Sequence, residues 1–383
     1  MIVTKKLTWV LIVIVLALCA FTAIRNSDEI FSDFSSVDMV YENDDTTRFY
    51  YNRLTDNAKL AYTLIVPEIY KHTERIEIPK LSDEEFDAVM YAVSYDNPDL
   101  VCYGKDCKII NEYTKHYFVP SYTHSAEEHD GVMAQLNAAL NSAVAHIPQG
   151  YTDYQKEMYI HDFICDRCSY VLDDDGNLKT SPYDVLIKGE AVCEGYARTA
   201  QLFLNKLNIP NYIVVGESEN RDGQLVGHMW NVVRIDGENY YLDVTWDDLD
   251  SQDVEMDKCY LYFNLNEQLI SNDHFNIVPA ENNCNSVKDN YFERLGSLYT
   301  EYGSTVRQSI ENDILWNISK GDYTYEMKFT NDEAYSEMSS QLLNSDELLS
   351  MLRSINEQQS SKRLTKVEYV TFENADYVRF IFS

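Results

Sequence analysis

Positive charge is what this sequence has least of. Its 383 residues include 31 Lys and Arg against 63 Asp and Glu, which gives a formal net charge of −32 at pH 7. A chain this acidic repels phosphate backbones and offers no basic stripe, so nucleic acid is excluded as a partner. The sequence also lacks an internal repeat at a solenoid period, which excludes a repeat array.

Hydrophobic residues, in contrast, are plentiful. They make up 45% of the chain, and aromatic residues make up 13%. This is enough to bury a core, so the acidity does not indicate general disorder. The chain is longer than the roughly 250–300 residues at which a single core stops growing. We therefore expect two folded units, or one large and one small.

A long apolar run lies at the N-terminus. Residues 7–24 are almost unbroken apolar, with two lysines before them and acidic residues after them. The run is about 27 Å long as a helix, close to the thickness of a bilayer core. It predicts a membrane anchor or signal segment at residues 1–25 and a tether at 26–45, with the body outside the cytoplasm. A cleaved signal peptide and a lipid anchor at Cys19 are the alternatives, although the run has no clear cleavage site and Cys19 follows a leucine.

The cysteines beyond this run number seven, out of eight in all. An odd number outside the cytoplasm leaves at least one thiol unpaired. Cys102 and Cys107 fit a disulfide that bridges a hairpin turn. Cys165 and Cys168 form a C-x-x-C at the end of a helix, which indicates a local structural or disulfide pair rather than a redox site. A zinc site built from both pairs is the less favoured alternative, and we expect no metal.

Cys193 lies where a thiol would be activated. The sequence predicts a helix that begins near Val192 or Cys193, after Gly189, with an apolar stripe along one face. In the first turn of a helix, unpaired backbone N–H groups and the dipole favour a thiolate and supply donors for an oxyanion. From this position alone, a buried structural cysteine is the alternative.

His228 and Asp243 lie on two strands that an Asp-Gly turn joins into a hairpin. A two-residue or a four-residue loop would place both side chains on the same face, within reach of each other. A carboxylate would then hold the imidazole while the other ring nitrogen addresses the cysteine. Asp247 has the same strand parity and is the alternative partner if the loop is longer.

Three segments together resemble a known family. GEAVCEGYA, GHMWNVV and YYLDVTWDD, in this order, are similar to the core of the transglutaminase-like superfamily over about residues 150–250. The resemblance implies a papain-like α+β fold and a Cys-His-Asp triad. Carried across by position, it makes Cys193 the nucleophile, His228 the general base and acid, and Asp243 the orienting residue. No cofactor is implied.

The expected fold class is α+β, with the nucleophile helix packed on an antiparallel sheet. Besides the anchor and tether, we expect a mainly helical region at 46–150, the catalytic core at 151–284 and a small C-terminal α+β domain at 285–383. The last of these reads as a β-α-β-β unit and contains no chemical motif.

Several neighbouring residues carry weaker predictions. Trp230 lies on the His228 face and is a candidate wall of the cleft, and Tyr183 is a candidate donor to the oxyanion beside the Cys193 N–H. Trp246 and Asp247 extend the strand that carries Asp243, as core or turn. His161 reads as helix surface or packing.

Relatives in the family include cross-linkers, peptidases and amidases, which share attack of a thiolate on an amide carbonyl. We therefore expect an extracytoplasmic, membrane-tethered thiol enzyme that acts on amide bonds of peptides or proteins, with cell-envelope peptides among the candidate substrates, by hydrolysis or by transamidation. A non-catalytic module that binds a peptide or glycan in the same cleft is the first alternative. A redox protein that uses Cys165 and Cys168 is the second.

Overall fold

The computed structural model describes residues 48–172, 178–219, 224–249, 259–359 and 363–383. The expected anchor and tether at residues 1–45 lie outside these ranges, so the structure does not test them. Among the helices within the described ranges, none is long and apolar enough to cross a membrane.

The N-terminal part combines helices with a small antiparallel sheet of strand order β1-β3-β2. Ser82 and Ser125 each begin a helix with a capping box, in which the side chain and the glutamate three residues later satisfy free backbone N–H groups. The elements are helices α1 (Phe49–Asn52), α2 (Asp56–Tyr70), α3 (Asp83–Tyr95) and α4 (Ala126–Ala145), and strands β1 (Ile76–Ile78), β2 (Tyr103–Glu112) and β3 (Lys115–Tyr122).

The middle of the chain is built on a five-stranded antiparallel sheet of order β10-β6-β7-β8-β9. Strands β4 and β5 form a separate short parallel pair. The elements are α5 (Asp153–Cys165), β4 (Ser169–Tyr170), a π-helix (Asp184–Lys188), β5 (Glu190–Ala191), α6 (Cys193–Lys206), β6 (Asn211–Glu219), β7 (Leu225–Ile235), β8 (Glu238–Leu242), α7 (Val244–Asp247), β9 (Phe263–Leu265), α8 (Glu267–Ile270) and β10 (His274–Val278).

Helix α6 packs on this sheet through small and apolar side chains. Ala200, Phe203 and Leu204 are buried with residues of β7 and β8 in one core. The other face of the sheet, which includes Trp230 and Tyr241, is covered by the segment after β8 and by the C-terminal part. The α+β class, with a helix packed on an antiparallel sheet, is therefore confirmed, and this helix begins at Cys193 as expected.

The C-terminal part is an α+β unit with a four-stranded sheet of order β11-β12-β14-β13. It has more elements than the expected β-α-β-β unit, because a short strand β11 pairs parallel with β12 and because Asn344 caps a second helix after α11. The elements are α9 (Tyr291–Leu295), β11 (Leu298–Tyr299), α10 (Ser304–Ser319), β12 (Thr324–Phe329), α11 (Asp332–Leu342), α12 (Ser345–Gln358), β13 (Val367–Phe372) and β14 (Tyr377–Phe382).

A buried lysine lies where the C-terminal unit meets the central sheet. Lys328 on β12 is 1% exposed, and its Nζ donates to the carbonyl oxygen of Ala375 at 2.8 Å. Burial lowers the pKa of Lys328, while the carboxylates of Asp273 and Asp376 act in the opposite direction. The ammonium group therefore balances carboxylates from both parts of the chain.

We expect Lys328→Met to lower the free energy of unfolding by about 3 kcal/mol, because it removes one partner of a buried charge cluster and leaves the carboxylates uncompensated. The control is Lys366→Met, whose side chain is 60% exposed and pairs with Glu368. This control should change stability by no more than about 0.5 kcal/mol. Urea unfolding measures both, and equal effects would contradict the role given to Lys328.

Candidate active site

Cys193 is the first residue of helix α6, and the chain before it is shaped to allow this. Gly189 ends the π-helix in a left-handed conformation with φ of 78°. Gly195 lets the helix begin close to strand β5, since a Cβ there would lie 2.7 Å from Ala191 Cβ. The helix start leaves backbone N–H groups without helical partners near the Cys193 thiol.

Cys193 differs from the other cysteines in its exposure. Of the seven cysteines in the part of the chain that the structure describes, six are buried and Cys193 is partly exposed. Burial raises the pKa of the Cys102 thiol to about 11 and that of Cys168 to about 12, and it also raises the pKa of Cys259. These three thiols are therefore protonated at neutral pH.

The hairpin of β7 and β8 places His228 and Asp243 together. A two-residue turn of Asp236 and Gly237, both with positive φ, joins Ile235 to Glu238, as the tighter of the two expected registers requires. Across the other edge of β7, His228 lies opposite Gly216. His228 Nε2 and Asp243 Oδ2 are 2.5 Å apart, and both side chains are buried.

Asp243 accepts hydrogen bonds on both of its carboxylate oxygens. Oδ1 accepts from the backbone N–H groups of Thr245 and Trp246 at 3.0 and 3.2 Å, because Asp243 is the N-cap of helix α7. Oδ2 contacts His228 and also His274, whose Nε2 is 3.1 Å away. Although burial opposes ionisation, the two histidines hold the pKa of Asp243 well below its usual range.

His228 is held between the carboxylate and the thiol. Its ring stacks on Trp230, with centroids 5.4 Å apart and planes 21° from parallel. Burial disfavours the charged ring, but the charge of Asp243 and hydrogen bonds with Asp243 and Cys193 raise the pKa of His228 to about 10. Because Nε2 faces Asp243, Nδ1 is the nitrogen left for Cys193.

The family match falls on this part of the chain. Residues 143–245 match the model of the transglutaminase-like superfamily, and the match includes Cys193, His228 and Asp243. Residues 143–245 are thus similar to the core of this superfamily, and we call them the transglutaminase-like core. The resemblance expected from the three motifs is thereby confirmed.

Three solved structures resemble the chain over part of its length. A TGase is 17% identical with a TM-score of 0.27, over 38% of this chain and 45% of that one. A provisionally assigned cysteine protease from Cytophaga hutchinsonii is 12% identical with a TM-score of 0.24, over 37% and 61%. LapG of Legionella pneumophila is 15% identical with a TM-score of 0.22, over 32% and 67%. The chain thus spans less than half the length of the TGase, and none of the curated proteins matches it.

Within the transglutaminase-like core, the segment after Asp243 differs from the expectation. Trp246 and Asp247 were expected to extend β8, but Val244–Asp247 form helix α7, since Asp243 caps the segment and turns it out of the sheet. Asp247 is not near His228. It contacts His161 instead, with Oδ2 3.1 Å from Nε2. Of the two alternative partners for His228, the structure places Asp243 beside it, and His161 is buried packing rather than helix surface.

Tyr183 and Trp230 are both placed away from the position expected of a substrate contact. The Tyr183 hydroxyl donates to Gln135 Oε1 at 3.2 Å, on helix α4, and so it is not directed at Cys193. Trp230 does lie on the same face of the sheet as His228. Its side chain is only 1% exposed, because His228, the segment after β8 and the C-terminal part of the chain cover it. It supports the imidazole from behind and does not wall an open cleft.

Two further residues lie beside the candidate triad that the sequence analysis did not predict there. Tyr170 on β4 lies close enough to Cys193 and Asp243 that their charges, after burial, raise the pKa of its phenol. His274 at the start of β10 contacts Asp243, although it comes 31 residues later in the chain. The parallel pairing of β4 with β5 brings Tyr170 near Cys193, and the pairing of β10 with β6 brings in His274. Neither pairing has a local sequence signal.

His228, Asp243 and His274 bring potential metal-ligating atoms within 4.8 Å of one another. Two ligands on one zinc ion at about 2.0–2.2 Å each are separated by about 3 Å or more. The 2.5 Å separation of His228 Nε2 and Asp243 Oδ2 is too short for this and fits a charge-assisted hydrogen bond. The three residues therefore fit a hydrogen-bonded cluster rather than a metal site.

Neither of the two expected cysteine pairs forms a disulfide in the structure. Tyr103–Glu112 form one strand, so no hairpin turn separates Cys102 from Cys107, and a bulge between Gly104 and Lys108 lies between them. Cys165 Sγ points to the Val244 carbonyl, whereas Cys168 Sγ points to that of Ser169. Their burial and the raised pKa of Cys168 do not favour redox exchange.

Gly216 provides a test of how closely the sheet supports His228. An alanine Cβ at this position would lie 2.6 Å from the Phe275 carbonyl oxygen and 2.8 Å from Trp230 Cη2. We expect Gly216→Ala to displace the Trp230 and His228 rings and to lower the free energy of unfolding by about 2 kcal/mol. Thermal unfolding measures the loss.

The matched control is Gly131→Ala, because Gly131 lies inside helix α4 and, apart from its chain neighbours and the backbone of its own helix, no atom lies within 4 Å of an added Cβ. This variant should be neutral or more stable by up to about 1 kcal/mol. A Gly216→Ala protein as stable as the Gly131→Ala protein would show that the sheet accommodates the methyl group at no cost.

Proposed function

We propose that this protein is a thiol enzyme that attacks amide bonds of peptides or proteins, with Cys193 as nucleophile, His228 as general base and acid, and Asp243 as the residue that orients His228. One observation carries the proposal: the partly exposed thiol among the described cysteines lies at a helix N-terminus beside a buried His-Asp pair. The transglutaminase-like core supports a peptidase-like activity of this kind.

The geometry supports a two-step acyl transfer. Asp243 fixes a proton on His228 Nε2, so Nδ1 accepts the proton of the Cys193 thiol and the thiolate attacks the substrate carbonyl carbon. The oxyanion formed is next to the N-terminus of α6, where backbone N–H groups stabilise it. The imidazolium then returns its proton to the leaving amine, and the C–N bond breaks to give a thioester.

Water or an amine then attacks the thioester, and the thiolate leaves. We propose hydrolysis, because the Cys193 side chain is partly exposed and water can reach the acyl-enzyme. A peptidase or an amidase would both follow this course. Transamidation is the outcome if an amine acceptor competes with water.

We also propose that the enzyme works outside the cytoplasm, held by its N-terminal segment, and that its substrates are peptides or proteins of the cell envelope. The support is the apolar run of residues 7–24 with its flanking charges. Fusing alkaline phosphatase to the C-terminus tests this, because the phosphatase becomes active only outside the cytoplasm. An inactive, stably produced fusion would contradict the proposed location.

Alkylation of the thiol tests the triad. We expect iodoacetamide to label one fast-reacting cysteine at neutral or mildly acidic pH, with the fast phase abolished in Cys193→Ala. His228→Ala should slow it by about 100-fold, because it removes the general base and the partner of the thiolate. Labelling is followed by mass spectrometry of tryptic peptides.

Cys284→Ala is the control, because Cys284 is buried and free and its loss should leave the fast phase unchanged. Uniform slow labelling of the wild-type cysteines would contradict the proposed thiol-enzyme function and favour a non-catalytic binding module. Fast labelling at Cys165 would favour a redox protein. Trapping an acyl-enzyme from cell-envelope peptides, with the adduct identified by mass, would then identify the substrate.

The pH dependence of Cys193 alkylation by a negatively charged reagent follows from the raised pKa of His228. Below about pH 10 the imidazolium is present and attracts a negatively charged reagent to Cys193, and above that pH the attraction is lost. We therefore expect the ratio of the iodoacetate rate to the iodoacetamide rate to fall as the pH rises through about 10. Asp243→Asn removes the carboxylate that stabilises the imidazolium, so the midpoint should move to lower pH. A ratio independent of pH would contradict the thiolate-imidazolium pair.

A further inference from the structure

The Asp243 carboxylate contacts a second imidazole besides that of His228. His274 Nε2 lies 3.1 Å from Asp243 Oδ2, the oxygen that also contacts His228. The other nitrogen of the ring, Nδ1, lies 2.6 Å from Asp273 Oδ1. His274 is 1% exposed, and its ring is therefore fixed between two carboxylates in the interior.

The hydrogen-bonding roles of this ring follow from its partners. A carboxylate oxygen accepts hydrogen bonds, so each ring nitrogen of His274 has an acceptor in front of it. Rotation of the ring would break both contacts. The indoles of Trp230 and Trp246 also enclose it, with ring centroids 4.8 and 5.0 Å away, which restricts the ring further.

The arrangement continues into the C-terminal unit. The Tyr262 hydroxyl donates to Asp273 Oδ2, and the Lys328 charge on strand β12 interacts with that of Asp273. Asp273 is 1% exposed, and its two carboxylate oxygens contact Tyr262 and His274. Polar contacts thus run from Tyr262 through Asp273 and His274 to Asp243, and the charge of Lys328 on β12 acts on Asp273 without a direct hydrogen bond.

For Asp243, His274 has two effects. A second donor on Oδ2 fixes the plane of the carboxylate, which the Oδ1 contacts and His228 alone would leave freer to tilt. The hydrogen bond from His274 also partly neutralises the negative charge on Asp243 Oδ2, the oxygen that stabilises the His228 imidazolium. His228 therefore gives up its proton more readily than it would if Oδ2 contacted His228 alone.

We propose that His274 is a positioning residue of the reaction, which holds the Asp243 carboxylate towards His228 and moderates its charge, and which is itself held by Asp273. The inference rests on the proposed function, since positioning matters only if Cys193, His228 and Asp243 react together. The titratable and charged groups that face the ring, or that face Asp243 and Asp273 on either side of it, are Asp243, His228, Tyr170, Asp273, Tyr262, Lys328 and Asp376.

Two amide substitutions separate the contacts of the ring. His274→Gln can keep a donor near the Nε2 position, towards Asp243, whereas His274→Asn can keep one near Nδ1, towards Asp273, and loses the contact with Asp243. The readouts are the iodoacetamide rate at Cys193, the pH midpoint of the iodoacetate to iodoacetamide ratio, and the ¹⁵N and proton resonances of the His228 Nε2–H group in protein labelled at histidine.

We expect His274→Asn to slow Cys193 alkylation about tenfold and to move the midpoint up by roughly one pH unit, since one hydrogen bond to a charged group is lost. His274→Gln should stay within about threefold of the wild type, because the contact with Asp243 is kept. His116→Asn is the matched control: His116 is a buried histidine whose Nδ1 contacts Asn111 on strand β2, and it should match the wild type.

The outcomes separate this inference from the proposed function. If the wild-type Cys193 reacts fast and neither variant at His274 changes the rate, the midpoint or the resonances, the positioning role is wrong and the proposed function stands. If the wild type has no fast thiol, the proposed function is wrong. The His228 resonances then decide the positioning role, which is supported if His274→Asn alone moves them and is overturned if it does not.

If His274→Asn does not fold, the wild-type spectrum decides instead. The proposal requires a proton on His274 Nε2, directed at Asp243, and the ¹⁵N shift of that nitrogen reports it. An unprotonated Nε2 would overturn the inference.

Discussion

The carboxylate of Asp243 is the group on which the arrangement of the site depends. It is buried, and it accepts two backbone N–H groups on one oxygen while the other contacts two imidazoles. A buried carboxylate without such donors would be too costly to ionise, whereas with them its pKa is held below the usual range. The cap of helix α7, the tautomer of His228 and the position of His274 all follow from these contacts.

The sequence allowed the local part of this site to be predicted and not the long-range part. The Asp-Gly turn restricts the hairpin to two registers, and both place His228 and Asp243 on one face. The helix that begins at Cys193 follows from the glycine before it and the apolar stripe after it. What the pattern missed is that Asp243 ends the strand as an N-cap, although an aspartate followed by Val-Thr-Trp fits either role.

His274 and Tyr170 lay beyond such reasoning for a physical reason. Each reaches the site through the pairing of strands that are distant in the chain, and a strand edge carries no mark of which partner it will meet. Tyr183 shows the opposite failure. It is near Cys193 in the sequence, which suggested a contact, but at the start of the π-helix its side chain is directed towards helix α4. The same limit applies to Cys165 and Cys168, whose spacing is short but whose thiols point to different carbonyl groups.

The nucleophile and the base belong to different layers of the fold. Cys193 is carried by helix α6, whereas His228 and Asp243 are carried by the sheet and its cap, on the face that Trp230 shares. The imidazole and the carboxylate therefore move as one body, and the sulfur moves as another. A small shift of the helix along the sheet would change the distance between Cys193 Sγ and His228 Nδ1, across which the proton is transferred. The same shift would leave the contact between His228 and Asp243 intact.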